Sequence, residues 1–318
     1  MELTYLLFVV GFALLIFGAN WLIDGSVSLG IRANMSPLVI GLTVVAFGTS
    51  LPELVINVFA SFKGSSDLAI GNILGSNIMN IFLILGISAM IMPLVVQHIS
   101  IKRDIPVGVF ATVLFAVMAN GRLYGEDNII NRIDGIILLI AFALYLLLAL
   151  RKGQPIDVDV DIEKKRPYSW LKTIFLIVVG CIGLYVGGDW VSDGALHVAA
   201  ALGISESAIG LTIVAAATSL PELVTAIVAA MKKNIEIVMG NVLGSNIINI
   251  LVVLGISAII NPLTFDSKLN LEIILVLLAN LALLSLIFIG KGLRLSKVEG
   301  ISFIVIYCIF IYISLTFN

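Results

Sequence analysis

Two segments decide the fold of this chain: GTSLPEL at residues 48–54 and GNILGSNIMN at residues 71–80. Both return later, as ATSLPEL at 217–223 and GNVLGSNIIN at 240–249. One constant offset separates every matched pair, and more than half of positions 41–94 are identical to their partners in 210–263. The sequence therefore contains an internal duplication, and each copy carries an acid beside a proline in an apolar run.

The composition indicates a membrane protein. Apolar residues make up 60% of the chain and charged residues 12%, which excludes an ordinary soluble domain. The net charge of −2 gives no indication of a nucleic-acid partner. Cys181 and Cys308 both lie in apolar runs, so neither a disulfide nor a metal cluster is implied, and we expect no cofactor. The first apolar run, which continues to Ile23, is too long for a signal peptide and is interpreted as a permanent span.

A membrane span requires about 20 mostly apolar residues. We predict about ten spans, at residues 3–30, 36–61, 67–93, 104–120, 133–150, 169–199, 205–230, 235–262, 269–290 and 298–317. The polar break at 151–168 is interpreted as a solvated cytoplasmic linker, because its acids lack the glycine and the spacing of an EF-hand loop. It separates a first five-helix repeat (1–150) from a second (169–318).

The basic residues indicate how the chain is oriented. Placing the amino terminus outside the cell puts most of them in inner loops, as the positive-inside rule requires. The inner set is Arg32, Lys102, Arg103, the 151–172 cluster, Lys232, Lys233, Lys291, Arg294 and Lys297, and the outer set is Lys63, Arg122, Arg132 and Lys268. With ten spans, both termini are extracellular and the location is the plasma membrane. Since five is odd, the two repeats are inverted, an architecture typical of secondary transporters.

The second span combines a helix break with oxygen ligands. Pro52 cannot donate a backbone hydrogen bond, so a carbonyl near Gly48 loses its helical partner. Ala46, Thr49 and Glu53 share one helical face, which carries a hydroxyl and a carboxylate. The matched residues of the seventh span are Pro221, Ala215, Thr218 and Glu222. Ser50 and Ser219 are predicted either to line the ion path or to support it.

The third and eighth spans supply amides and further hydroxyls. Asn72, Ser76 and Asn80 are spaced by four and form one polar stripe, repeated as Asn241, Ser245 and Asn249. Gly71 and Gly75, with Gly240 and Gly244, would let another helix approach closely. Asn77 and Asn246 fall off the stripe and are predicted to support packing or the backbone.

Together these residues predict a site for a hard cation. Carboxylate, hydroxyl, amide and carbonyl oxygens, without sulfur or imidazole, suit Ca²⁺ and Na⁺ and are poor ligands for zinc or copper. The alternative for each Ser, Thr or Asn is that it only holds helices together. Two membrane glutamates at matched positions favour the cation site. Asp24 and Asp193, near Trp21 and Trp190, are interpreted as interfacial.

The duplicated motifs resemble those of the cation/calcium exchanger superfamily, closest to the prokaryotic sodium/calcium exchangers. The resemblance covers essentially the whole chain. It implies an all-α integral membrane protein of ten helices, whose first and sixth helices slide across the rest to give alternating access. It also implies a calcium position at Glu53, Glu222, Thr49 and Thr218. Sodium positions would use Ser76, Ser245 and the carbonyls of Ala46 and Ala215, with Asn80 completing the centre.

One position departs from some relatives, which have an aspartate where this chain has Asn249. A site with one acid fewer should hold an additional K⁺ less well, so we predict K⁺-independent exchange of Na⁺ for Ca²⁺, with the bilayer as the only other partner. The alternatives are a proton-coupled or less selective antiporter, an intramembrane hydrolase with the two acids as a catalytic pair, and a passive channel. A channel would conduct without a counter-ion.

Overall fold

The structure is a computed structural model that describes residues 2–121, 128–150, 166–201, 215–289 and 293–317. Within these ranges the chain is almost entirely helical. The helices are α1 (Glu2–Ala33), α2 (Pro37–Thr49), α3 (Leu51–Phe62), α4 (Ser66–Ile91), α5 (Ile105–Ala119), α6 (Arg132–Leu150), α7 (Trp170–Ala201), α8 (Ala215–Thr218), α9 (Leu220–Met231), α10 (Ile235–Ile260), α11 (Asn270–Ile289) and α12 (Lys297–Phe317).

Seven described helices are long and apolar enough to cross a membrane, and the bent pair α2–α3 makes an eighth. These eight coincide with predicted spans, so the chain is an all-α membrane protein. At the predicted span 104–120 the structure has the 15-residue α5. At 205–230 it has α8 and α9, with residues 202–214 outside the described part. Most of the predicted linker, residues 151–165, also lies outside it.

The helix breaks predicted at the two prolines are confirmed. Between α2 and α3 the axis bends by 48°, at Ser50, whose backbone (φ −82°, ψ 9°) leaves the helical region. Ser219 repeats this geometry between α8 and α9 (φ −86°, ψ 6°). Pro52 and Pro221 then fall in the first turn of the following helix, where no helical N–H is needed. The glutamate that follows each proline therefore also lies in the first turn of the new helix.

Two π-helical turns interrupt the helices that carry the asparagine stripes. They span Asn80–Ile84 in α4 and Asn249–Val253 in α10, so each begins at the last asparagine of its stripe. A π turn leaves a locally wider helix and often accompanies a functional site. The sequence periodicity did not predict these turns.

The described part of the chain also contains four two-residue strands, which the all-helical prediction did not include: β1 (Leu94–Val95), β2 (Ile129–Ile130), β3 (Leu263–Thr264) and β4 (Arg294–Leu295). They form two antiparallel pairs, β1 with β4 and β2 with β3. The first pair joins loops predicted on the inner side of the membrane, and the second joins loops predicted on the outer side. Each pair ties the loop after one repeat's third span to a loop of the other repeat.

Glycines set the closest helix contacts, as predicted for Gly240 and Gly244. A Cβ added at Gly240 would lie 2.6 Å from the Leu38 carbonyl oxygen, and one at Gly244 would lie 2.7 Å from that of Leu42. α10 therefore packs directly on the backbone of α2. At Gly71 no described atom comes within 4 Å of an added Cβ.

The most extensive contact between two described helices joins α1 and α7, and glycines line it. A Cβ at Gly18 would lie 2.8 Å from the Leu184 nitrogen, and one at Gly180 would lie 2.6 Å from the Leu22 nitrogen. The two helices consequently pack backbone against backbone. Their other faces carry exposed apolar side chains such as Phe17 and Phe175, as expected for surfaces in contact with lipid.

Candidate functional site

Glu53 and Glu222 lie together in the interior, and each is completely buried. Ser50 Oγ donates to Glu222 Oε1 at 3.0 Å, and Ser219 Oγ donates to Glu53 Oε1 at 3.4 Å. Each glutamate therefore accepts a hydrogen bond from the serine at the helix break of the other repeat. The two helix breaks therefore face each other, which brings the two carboxylates into one site.

The stripe serines complete this contact. Ser76 Oγ lies 3.4 Å from Glu53 Oε1, and Ser245 Oγ lies 3.5 Å from Glu222 Oε1. These bonds link each glutamate to the stripe of its own repeat. Ser219 Oγ and Ser76 Oγ lie 3.0 Å apart, within hydrogen-bond distance, so the hydroxyls from both repeats form one connected group.

The two threonines bond across the repeats in the same way. Thr49 Oγ1 donates to Asn241 Oδ1 at 3.0 Å, and Thr218 Oγ1 donates to Asn72 Oδ1 at 3.2 Å. In both cases a hydroxyl before the helix break meets the first asparagine of the opposite stripe. All four side chains are buried. These two hydrogen bonds hold the first asparagine of each stripe against the helix break of the other repeat.

The asparagines at the other end of the stripes form a closed network. Asn80 Nδ2 donates to Asn246 Oδ1 at 2.9 Å, while Asn249 Nδ2 donates to Asn77 Oδ1 at 3.1 Å. Asn77 and Asn246 also donate to each other's backbone carbonyls, at 3.2 and 3.4 Å. The supporting role predicted for Asn77 and Asn246 thus agrees with these contacts, because they hold the amide nitrogens of the stripe residues.

Among the residues that the structure describes, four buried oxygens in this region have no hydrogen-bond partner. They are Glu53 Oε2, Glu222 Oε2, Asn80 Oδ1 and Asn249 Oδ1. An unpartnered buried oxygen is costly, and a bound ion is one way to satisfy it. These four form two matched pairs, one oxygen of each kind from each repeat. Two carboxylates and two amides are a ligand set for a hard cation.

The remaining predicted ligands are the two alanine carbonyls. Ala46 is buried, and its carbonyl oxygen accepts from the Ser50 nitrogen at 3.0 Å and lies 3.2 Å from Thr49 Oγ1. It therefore sits at the helix break, beside the hydroxyls of the site. Ala215 is the first residue of α8, so its matched carbonyl precedes the second break.

Three features of the site were not predicted from the sequence as ligands or partners. Ser50 and Ser219 bond directly to the glutamates, although the sequence left open whether they line the path or support it. The signal that could have found them is their repetition at matched positions. Asn57 supports Asn72, which donates to Asn57 Oδ1 at 2.7 Å. No repeat signal could have identified Asn57, because its matched position in the second copy is Ala226.

A test of the cross-repeat bonds uses a single hydroxyl. We expect Ser50→Ala to weaken cation binding by about tenfold, since a hydrogen bond to a charged group contributes about 1.5–3 kcal/mol. The matched control is Ser88→Ala, which removes a buried hydroxyl of α4 that has no hydrogen-bond partner among the described residues. The ion-concentration dependence of transport in proteoliposomes measures both. Equal effects of the two variants would contradict a role for Ser50 at the site.

The geometry defines a class of protein: a helical membrane protein with broken helices facing each other around a buried, oxygen-lined candidate site, an arrangement typical of secondary transporters. Comparison with known proteins specifies the family. The model of the sodium/calcium exchanger protein family matches residues 3–151 and 172–316. This chain belongs to that family, which consists of transporters.

Individual relatives agree with this assignment. The chain is 37% identical over 300 residues to the putative antiporter CaxA of Alkalimonas amylolytica, covering 92% of each protein. It is 29% identical to the sodium/calcium exchanger MaX1 of Methanosarcina acetivorans, covering 98% of each. A solved structure of the sodium-calcium exchanger NCX_Mj, soaked with 10 mM Na⁺ and zero Ca²⁺, matches with a TM-score of 0.83 at 34% identity. That match covers 100% of this chain and 99% of the other.

Proposed function

We propose that this protein exchanges Na⁺ for Ca²⁺ across the plasma membrane by alternating access, without requiring K⁺. The observation that carries the proposal is the set of four buried, unpartnered oxygens from Glu53, Glu222, Asn80 and Asn249. Membership of the sodium/calcium exchanger family supports the choice of ions. The ions are the transported substrates, and the proposal includes no cofactor and no protein partner.

The charge of the site explains why transport is coupled. Two carboxylates balance one Ca²⁺ or two Na⁺. Among the described residues, neither Glu53 nor Glu222 has a basic side chain within ion-pair distance. An empty site would therefore hold two uncompensated charges in a low-dielectric interior, which costs far more than the loaded site. The protein should consequently change its access only when ions are bound, which gives exchange rather than leak.

The proposed ligands follow the resemblance and the observed contacts. Ca²⁺ would bind between the two glutamates, with the hydroxyls of Thr49 and Thr218 beside it. Na⁺ would use the flanking positions, with ligands from Ser76, Ser245 and the carbonyls of Ala46 and Ala215. Asn80 and Asn249 would complete the centre. Each position then has a counterpart in the other repeat.

The proposal includes ten spans arranged as two inverted five-helix repeats, with both termini outside. Contacts between loops support this topology, because loops predicted on one side of the membrane meet each other. On the predicted outer side, Asn120 bonds to Asn270. On the predicted inner side, Gln97 bonds to Glu236. The strand pairs β2–β3 and β1–β4 follow the same division.

Isotope flux in proteoliposomes tests the function. Purified protein is reconstituted in vesicles loaded with Na⁺, and uptake of ⁴⁵Ca²⁺ is measured after dilution into Na⁺-free medium. We expect uptake that requires internal Na⁺, is unchanged when K⁺ is replaced by choline, and persists after an uncoupler collapses any proton gradient. Uptake that the uncoupler abolishes would instead support proton coupling. Uptake without any counter-ion gradient would support a channel.

The asparagine network predicts how ion preference could be changed. Asn249→Asp places a third carboxylate where an amide oxygen has no partner, so we expect binding of additional cations, including K⁺, to rise by about tenfold. Asn246→Asp should change ion preference less, because Asn246 Oδ1 is already occupied by the Asn80 amide. Competition of K⁺ and Na⁺ with ⁴⁵Ca²⁺ uptake measures the difference. Equal shifts in both variants would mean that the wrong face of α10 has been assigned to the site.

A further inference from the structure

An ion pair joins α1 to the end of α9 on the predicted inner side. Lys232 Nζ bonds to Asp24 Oδ1 at 2.9 Å and lies 3.5 Å from the backbone oxygen of Asn20. Lys232 is the first residue after α9, and Asp24 lies on α1 about two thirds of the way along. The contact therefore holds α1 against the inner end of the helix that carries Glu222.

The residues matched to this pair are also a lysine and an aspartate. Lys63 stands after α3 as Lys232 stands after α9, and Asp193 lies on α7 as Asp24 lies on α1. Both side chains are exposed. The described residues contain no ion pair between them, since the only two pairs there are Arg103–Asp104 and Asp24–Lys232.

In place of that contact, an open cavity separates α7 from α3 and α8. Its volume is about 140 Å³. Its lining includes Pro52, Ile56, Tyr185, Asp189, Ser192 and Thr218. Thr218 belongs to the candidate ion site, so the cavity reaches that site. From there its lining follows α3 and α7 in the direction of Lys63 and Asp193. A second cavity, of about 300 Å³, lies beside Asp24 on the predicted inner side, but none of the residues that line it belongs to the candidate ion site. The cavity that reaches the site is thus the one on the side where the matched ion pair is missing.

We propose that Lys63 and Asp193 form the matching ion pair when the protein opens to the inner side, and that the Asp24–Lys232 pair then breaks. This inference depends on the alternating access of the proposed function. When two repeats are inverted, exchanging their conformations generates the opposite open state. A contact made by one repeat in this state is therefore expected from the other repeat in the opposite state. Each ion pair thus stabilises one of the two open states, the first through α1 and the second through α7.

Each ion pair should be weak enough for the transporter to leave the state that the pair stabilises. Lys232 and Asp24 remain 29% and 40% exposed, so water screens their attraction. An ion pair of this kind changes an equilibrium by about two- to fivefold, which biases the open states without trapping either. Asp189 occupies the place of Asn20 on the outer side. Because Lys232 contacts the backbone oxygen of Asn20, the matched acceptor for Lys63 would be the backbone oxygen of Asp189.

Cross-linking of introduced cysteines tests this directly. Cys181 and Cys308 are first replaced by alanine. Two matched pairs are then built, Asp24→Cys with Lys232→Cys and Asp193→Cys with Lys63→Cys. A short bifunctional methanethiosulfonate reagent is applied to the full-length protein in proteoliposomes over a range of Na⁺ and Ca²⁺ concentrations. We expect both pairs to link, with yields that change in opposite directions as the ions change, and each link to block ⁴⁵Ca²⁺ exchange until it is reduced.

The controls recombine the same four positions. Asp24→Cys with Lys63→Cys, and Asp193→Cys with Lys232→Cys, join opposite ends and should never link. A variant with all four cysteines should carry one link per molecule by mass spectrometry. Failure of the Lys63–Asp193 pair to link under every ion condition, while the Asp24–Lys232 pair links, would overturn the proposal. So would both links in one molecule.

Uptake by the cysteine-free parent protein distinguishes failure of the proposed function from failure of the ion-pair proposal. If the parent shows no Na⁺-dependent ⁴⁵Ca²⁺ uptake, the proposed function fails. Because links are scored by mass spectrometry, they still decide whether the two ion pairs alternate.

Discussion

Replacing either Glu53 or Glu222 with glutamine should abolish Na⁺-driven ⁴⁵Ca²⁺ uptake while leaving the protein folded. Each carboxylate supplies a unit charge to the bound ion, and at an effective dielectric constant near 20 two unit charges about 4 Å apart attract by about 4 kcal/mol. Loss of that attraction corresponds to about a thousandfold in affinity. Glutamine keeps the size and the acceptor oxygen, so the bonds from Ser50 or Ser219 can persist.

The control for these variants is Asp67→Asn, which removes an exposed carboxylate at the start of α4. Its uptake should match that of the unaltered protein. Thermal unfolding in detergent, followed by size-exclusion chromatography, establishes that all three variants are folded. If Glu53→Gln or Glu222→Gln retained normal uptake, the assignment of the site would be wrong.

The second large effect is expected from one methyl group at Gly240. In Gly240→Ala the added Cβ would lie 2.6 Å from the Leu38 oxygen and 2.8 Å from the Leu42 nitrogen. Both are backbone atoms, which cannot rotate away, so α2 and α10 must separate. Overpacking of this kind costs about 1–3 kcal/mol and should lower the melting temperature by several degrees. The separation would also lengthen the bond from Thr49 to Asn241, so we expect reduced transport.

Gly188→Ala is the matched control, because its Cβ would meet only Pro221, at 3.5 Å, an ordinary contact. An alanine within a helix is intrinsically more favourable than a glycine by about 1 kcal/mol. Gly188→Ala should therefore unfold at the same temperature or slightly higher. A Gly240→Ala protein as stable as Gly188→Ala would mean that the two helices are not held as closely as the structure has them.

Most elements of the site could be predicted from the sequence because their signals are local. Pro52 and Pro221 interrupt apolar runs, and a proline at such a position breaks a helix in any context. Each glutamate follows its proline directly, so the break and the acid are located together. The spacing by four in the stripes fixes one helical face in the same way.

The pairing between the repeats could not be predicted, because it depends on how distant helices meet. Nothing in the spacing of Ser50 and Glu53 indicates that Ser50 bonds to the glutamate of the other copy. The π turns at Asn80 and Asn249 have no distinct sequence pattern, and neither do the two-residue strands. The contact between Asn57 and Asn72 depends on a residue that the second copy lacks.

The reciprocal bonds between serine and glutamate have a consequence for inheritance. Neither half of the gene encodes all the residues of the candidate site, so selection acts on a mutation in one half together with the residues that the other half encodes. Residues that contact the other half can then change only together with their partners. A residue without such a contact can differ between the repeats, as Asn57 and Ala226 do. In the proposed inverted arrangement, an ancestral single-copy product would have needed two molecules, inserted in opposite directions, to assemble one such site.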